Sequence, residues 1–155
     1  MVNVRRRYSQ GGMTYFWFLL LVVVMALGIG KLLDVQSSVA RRIKEDELIR
    51  VGQLYREAIR QYYLSSPNGA YQYPERLEDL LRDPRHVVVR RYLRRLYQDP
   101  ITGQPFLTVP SKTGGIGGVY SASLSKPFKK HPTNVVLEIA HPQHYSDWLF
   151  IYQGE

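Results

Sequence analysis

Cysteine is absent from all 155 residues of the chain. That excludes a disulfide framework, a cysteine-ligated zinc site and a lipidated amino-terminal cysteine, and leaves the redox compartment open. Charge is absent from one stretch: no Asp, Glu, Lys or Arg lies between Arg7 and Lys31. After Lys31 there is no proline until Pro67, and Gly52 is the one glycine in that interval. Acids thin out towards the end, where only Glu138, Asp147 and Glu155 follow Asp99. The length excludes two full catalytic domains and leaves room for one domain with a modest core.

What is present is basic and tyrosine-rich, with a formal net charge of +8 and 12 tyrosines. Residues 1–12 are polar and carry Arg5, Arg6 and Arg7 without an acid. Residues 13–30, MTYFWFLLLVVVMALGIG, are nearly all apolar. Phe16, Phe18, Leu19 to Val24, Leu27 and Ile29 together favour insertion into a bilayer by roughly 3–6 kcal/mol. Eighteen helical residues reach about 27 Å, just enough for a hydrocarbon core. The three leading arginines place the amino terminus in the cytoplasm, although Lys31, Arg41, Arg42 and Lys44 make the far flank basic as well. Three readings stay open for this segment. It is a plain signal anchor, a secretory signal peptide cut near Gly28, or a segment cut in front of its apolar run and retained on the mature protein.

The third reading follows the placement of Gly11–Gly12 directly before Met13–Thr14. A short basic leader, a glycine, a hydrophobic residue, threonine and a long apolar run resemble the class III signal of type IV pilins and type II secretion pseudopilins. The resemblance implies cleavage between Gly12 and Met13 by a prepilin peptidase, with N-methylation of Met13. The family's fifth mature residue is normally glutamate, and here it is Trp17. A carboxylate inside a bilayer is costly and is retained because it pairs, in this family with the amine of a neighbouring subunit. Trp17 inserts more easily but leaves such an amine unpaired. In the family, the subunit lacking this glutamate caps the filament tip; simple tolerance of the loss is the other reading.

The pattern beyond Lys31 predicts that the helix runs straight on. Leu48, Val51, Gly52, Tyr55, Ala58, Ile59, Tyr62 and Tyr63 fall within an arc of about 140°. Arg50, Gln53, Arg56, Glu57, Arg60 and Gln61 take the other side. Asp46 and Arg50 are spaced for a supporting ion pair. Ser65-Ser66-Pro67-Asn68-Gly69 stops the run, giving one helix of about 78 Å from Met13 to Leu64.

Past the stop, Pro74 is expected to open a short helix with Glu75, Glu78 and Asp79 near its positive end and Leu77, Leu80 and Leu81 as its apolar stripe. Asp83–Pro84 repeats that start and predicts a second helix to about Tyr97. On it, Val88, Val89, Tyr92, Leu93 and Leu96 share one side, and Arg90, Arg91, Arg94 and Arg95 the other. Asp99 to Gly103 reads as a turn leading to a strand over Phe106–Val109. Ser111–Gly118 reads as a loop; Gly118–Ser123, Val135–Ile139 and Trp148–Tyr152 read as strands. The Tyr-Pro, leucine-rich helix and Asp-Pro turn in this order also resemble the pseudopilin body, so the resemblance covers roughly residues 8 to 106.

The expected fold class is α+β: a long amino-terminal helix packed on a small antiparallel sheet. Its segments are a leader (1–12), a transmembrane half-helix (13–30), an amphipathic half-helix (31–64) and a globular head (65–155). Catalysis is not expected, since Ser, His and Asp occur without a nucleophile motif. The His141-Pro-Gln-His144 run with His131 and Asp147 matches no zinc spacing. Gly114–Gly118 lacks the strand–glycine–helix context of a phosphate loop. Major pseudopilins bind calcium in their carboxy-terminal loops, which makes Asp147 a weak calcium candidate; no other cofactor is expected. The four arginines could meet about four phosphates, but acids on a neighbouring subunit fit them as well, and the sequence favours subunit contacts over nucleic acid. The resemblance implies a structural subunit of a type II secretion pseudopilus in the bacterial inner membrane. It would be single-pass, with a cytoplasmic amino terminus and a periplasmic head, and would partner other pseudopilins, the prepilin peptidase and the assembly platform. A minor type IV pilin for DNA uptake or adhesion, and a soluble exported protein cut near Gly28, remain as alternatives.

Overall fold

The computed structural model describes residues 11–129, 136–137 and 142–154, without the side chains of residues 11–12, 26–38, 68 and 136–137. The described residues have an α+β fold, with one α-helix, short 3-10 turns and one antiparallel sheet of four strands. Contacts divide the chain into two units, Met1–Arg41 and Arg42–Glu155. The helix α1 (Gly11–Leu64) contributes to both. It matches the helix expected over Met13–Leu64, and its backbone stays helical through Gly28–Ile29.

In the first unit, all thirteen residues from Met13 to Met25 are exposed. Among the described residues no helix is long and apolar enough to cross a membrane. The span expected over residues 13–30 runs past the described side chains, and the described part covers about 20 Å at the helical rise. The side chains of Ala26, Leu27 and Ile29 lie outside the described residues, as do Arg5, Arg6 and Arg7.

In the second unit the expected apolar arc is the buried one. Leu48, Val51, Tyr55, Ala58, Ile59 and Tyr62 are buried, Gly52 is buried with them, and Tyr63 is half-buried. Each large side chain removed from water here contributes about 1.5–3 kcal/mol before entropy is counted. Arg50, Glu57, Arg60 and Gln61 face solvent. The ion pair expected between Asp46 and Arg50 is not formed. Arg50 instead pairs with Glu47 at 2.6 Å, and Asp46 with Lys129 at 2.5 Å. The helix ends at Leu64, where the Ser65 hydroxyl donates to the Gln61 carbonyl at 2.7 Å.

The strands are β1 (Leu107–Pro110), β2 (Ile116–Tyr120), β3 (Val136–Leu137) and β4 (Trp148–Ile151), in spatial order β1-β2-β4-β3 with every pair antiparallel. β1, β3 and β4 fall within two residues of the expected bounds, whereas β2 starts two residues before and ends three residues before the expected Gly118–Ser123. Leu107 pairs with Tyr120, Val119 with Phe150, and Leu137 with Trp148. Val119, Trp148 and Phe150 are fully buried and join the helix residues, Leu80, Leu93 and Phe106 in one core. Gly52 is where sheet and helix come closest: a Cβ there would lie 2.4 Å from the Phe150 ring. The glycine in mid-helix therefore reflects a packing requirement that outweighs its poor helix propensity.

The two short helices expected after Pro67 are not found as such. Of the first, only a 3-10 turn over Leu77–Leu80 forms. The Pro74 carbonyl accepts the Ile116 amide at 2.8 Å, which commits Pro74 to the sheet side rather than to a helix. The second helix, Asp83 to Tyr97, is absent, and the segment is a loop. Its Val87-Val88-Val89 run is poor helix material, because β-branched side chains lose χ1 freedom in a helix. Its backbone groups are taken elsewhere: the Asp83 amide donates to Arg90 O at 3.1 Å, and the Tyr92 and Leu93 amides donate to Leu80 O at 2.9 and 3.0 Å. The turn at Asp99 is present. The buried Asp99 carboxylate accepts the Ile101 amide and the Thr102 and Ser121 hydroxyls, and Gly103 adopts φ +72°.

Candidate interaction surfaces

The Gly12–Met13 bond expected to be cut lies in the first turn of α1. Met13 is 73% exposed, Thr14 is exposed, and Trp17 is 61% exposed on the same helix. Phe16, Leu20 and Val24 are exposed too, so apolar side chains point outward all round this stretch. A helix apolar on every side is stable only when lipid or other helices cover it.

The second unit carries a buried polar node that the sequence reading did not find. Asp83 is buried, and its Oδ1 accepts the Arg85 amide at 3.0 Å and Arg85 Nε at 2.9 Å. Oδ2 accepts Arg85 Nη2 at 2.8 Å and the Tyr92 hydroxyl at 2.9 Å. Arg85 goes on to donate to Ser66 Oγ at 2.7 Å and to the Tyr62 carbonyl at 2.8 Å, with its guanidinium 3.6 Å from the Tyr62 ring centre. The Tyr92 hydroxyl also meets Ser65 Oγ, and His86 Nε2 lies 2.9 Å from the Ser65 carbonyl. Burial opposes ionisation of Asp83, but the Arg85 and Tyr92 hydrogen bonds outweigh it and lower its pKa to about 2. The Asp-Pro pair that reads as a helix start thus anchors a loop to the end of α1. An acid followed two residues later by arginine was the available signal, but its partners on α1 are distant in sequence.

A second tether lies nearby. The Tyr55 hydroxyl accepts the Tyr97 amide at 2.8 Å and donates to the Tyr97 carbonyl at 3.0 Å. Burial raises its pKa above the usual phenol value. Between these tethers Arg90, Arg91, Arg94 and Arg95 are exposed on a loop rather than sharing a helical face. Arg95 lies 5.0 Å from the Tyr97 ring centre. Val87, Val88 and Val89 are exposed beside them, where the sequence had placed Val88 and Val89 on a buried stripe.

Four tyrosines gather at another point of this unit. Tyr71 stacks on Tyr63 at 5.3 Å, and Tyr73 and Tyr152 contact Tyr63 at 4.7 and 5.7 Å. Tyr63, Tyr73 and Tyr152 border an open cleft of about 360 Å³ that Lys112 also lines. Tyr71 holds φ +44°, a strained value for a bulky residue.

Asp147, the calcium candidate, has a different job. Its Oδ2 accepts the Gln143 and His144 amides at 2.8 and 2.9 Å, capping the 3-10 turn Tyr145–Asp147. Among the described residues no group of three or more His, Asp or Glu is placed to hold a metal ion. His131, Glu138 and His141 lie outside the described residues. Gly114 and Gly115 form the β1–β2 turn with φ +93° and +79°. Glu45 is buried, with Oε1 accepting the Lys129 amide at 2.8 Å and Oε2 without a hydrogen-bond partner among the described residues. Comparison of the chain with family models, curated proteins and solved structures finds no match.

Proposed function

We propose that the chain is a pilin-like structural subunit of a type II secretion pseudopilus, cut between Gly12 and Met13 and anchored in the inner membrane by residues 13–30. The observation that carries this reading is the contrast along α1. Its Met13–Met25 part is exposed and apolar on all sides, while its Leu48–Tyr62 part is the buried spine of a small antiparallel sheet. A helix that serves as core at one end and offers bare apolar surface at the other suits lateral packing with like helices in a membrane. Trp17 in place of glutamate removes the carboxylate that would pair with a neighbour's amine, so packing would rest on shape and apolar contact. The role needs no catalytic residue of this chain; the chemistry belongs to the peptidase and the assembly machinery.

The test is photo-crosslinking from Leu20 in cells that contain the secretion apparatus. The reading predicts adducts with other pilin-like subunits, and their loss when Gly12 is replaced by a bulky residue that blocks processing. Adducts restricted to lipid, with Gly12 intact, would contradict it.

A further inference from the structure

We propose that the loop from Asp83 to Arg95 is a docking element for an anionic phospholipid surface. The proposal goes beyond the pseudopilin reading and does not depend on cleavage of the leader.

The loop is closed at its neck by the hydrogen bond from the Asp83 amide to Arg90 O, 3.1 Å, and pinned from below by the Asp83–Arg85 node. The ends of the Asp83–Arg90 segment are thereby held close together, with Arg85 and His86 bonded back to Tyr62 and Ser65 and the valines that follow left exposed. Val87 is 104% exposed, Val88 76% and Val89 52%. Three consecutive exposed valines are unusual on a soluble surface, where a contiguous apolar patch marks a contact.

Flanking the valines in sequence are five exposed arginines, Arg82, Arg90, Arg91, Arg94 and Arg95. The one acid in this segment, Asp83, is buried and occupied by Arg85. Exposed valines flanked by exposed arginines have the two signals that a peripheral membrane contact needs: side chains that enter the acyl boundary, and cations at the level of the headgroup phosphates. Pre-ordering by the node removes the entropy cost of arranging the loop at the surface.

Charge complementarity separates lipid from the other partners. Nucleic acid would use the arginines but leave the valines uncovered. Among the described residues a second copy offers few free acids: the carboxylates of Asp46, Glu47 and Glu57 are paired with Lys129, Arg50 and Arg60. Among the described residues, Glu75 and Glu78 are the exposed acids left without an ion pair, fewer than the five arginines.

The experiment houses the apolar segment in neutral-lipid nanodiscs, so that the full chain is intact, and offers separate vesicles. Because the chain has no cysteine, Val88→Cys accepts a single environment-sensitive fluorophore. The proposal predicts flotation with phosphatidylglycerol-containing vesicles but not with pure phosphatidylcholine, together with a blue shift of the label. Each arginine near an anionic surface is worth about fivefold in affinity, so Arg90→Ala with Arg91→Ala weakens binding about 25-fold. Val88→Asp, a change at an exposed position that leaves the fold alone, lowers it by at least about tenfold. Equal binding to both vesicle types, or binding indifferent to these substitutions, would overturn the proposal. So would a label shift that follows protein concentration without vesicles, which would mean a second copy, or one that follows added duplex DNA.

Discussion

Asp83 shows how one carboxylate can organise a loop that local propensity describes wrongly. Its pKa falls to about 2 in the folded chain, below the ordinary value near 4. A lowered carboxylate pKa contributes stability that is complete above the unfolded value and is lost as pH falls through the folded one. The contribution is roughly 2 kcal/mol by linkage, and it disappears between about pH 4 and pH 2. Asp83→Asn should therefore destabilise the chain at neutral pH by about 3 kcal/mol, since it leaves the largely buried Arg85 unpaired. The gap between the two proteins should narrow through that acid window. Thermal unfolding in mild detergent, followed by near-ultraviolet circular dichroism from pH 7 to pH 2, checks this; a gap constant across the range would show that the charge is not what matters. None of this was legible in the sequence, because the partners of Asp83 and Arg85 include Ser66 and Tyr62, on or just past the end of α1, and only the folded chain brings them together.

Elements were legible where their own pattern decides them. The α1 arc from Leu48 to Tyr62 was readable because a 3.6-residue period and a core meet on the same residues. The four strands were readable from β-branched and aromatic runs between turn residues. The helices expected at Pro74 and Asp83 were not formed, because start signals without a sustained apolar period lose to tertiary hydrogen bonds such as Ile116 to Pro74. Gly52 could be placed on the buried face from sequence, but its reason could not: Phe150 of β4 occupies the space of a Cβ. Gly52→Ala should gain helix propensity of about 1 kcal/mol and still be destabilising, because overpacking against the buried Phe150 ring costs about 1–3 kcal/mol and more where the contact is this short. A denaturant midpoint that drops for Gly52→Ala, and stays put for Ala replacing exposed Gln61, is the expected result; a stabilised Gly52→Ala would mean that helix and sheet are not packed this closely.

At the scale of the whole molecule, the two units make different demands. Residues Arg42–Glu155 bury their own core, with Trp148, Tyr55 and Phe150 fully enclosed. The Met13–Met25 stretch is exposed throughout. That difference was visible in the sequence as the charge-free run between Arg7 and Lys31. The exposed valine–arginine loop was not visible, because its valines read as a buried stripe until the helix they implied proved absent.

The central claim is that the apolar helix is retained and its leader removed. Intact mass and amino-terminal sequencing of the chain co-expressed with a prepilin peptidase test it most directly. The account predicts loss of residues 1–12 and a new amino terminus at Met13 carrying one methyl group. A start near Ile29, or a chain left uncut, would contradict it.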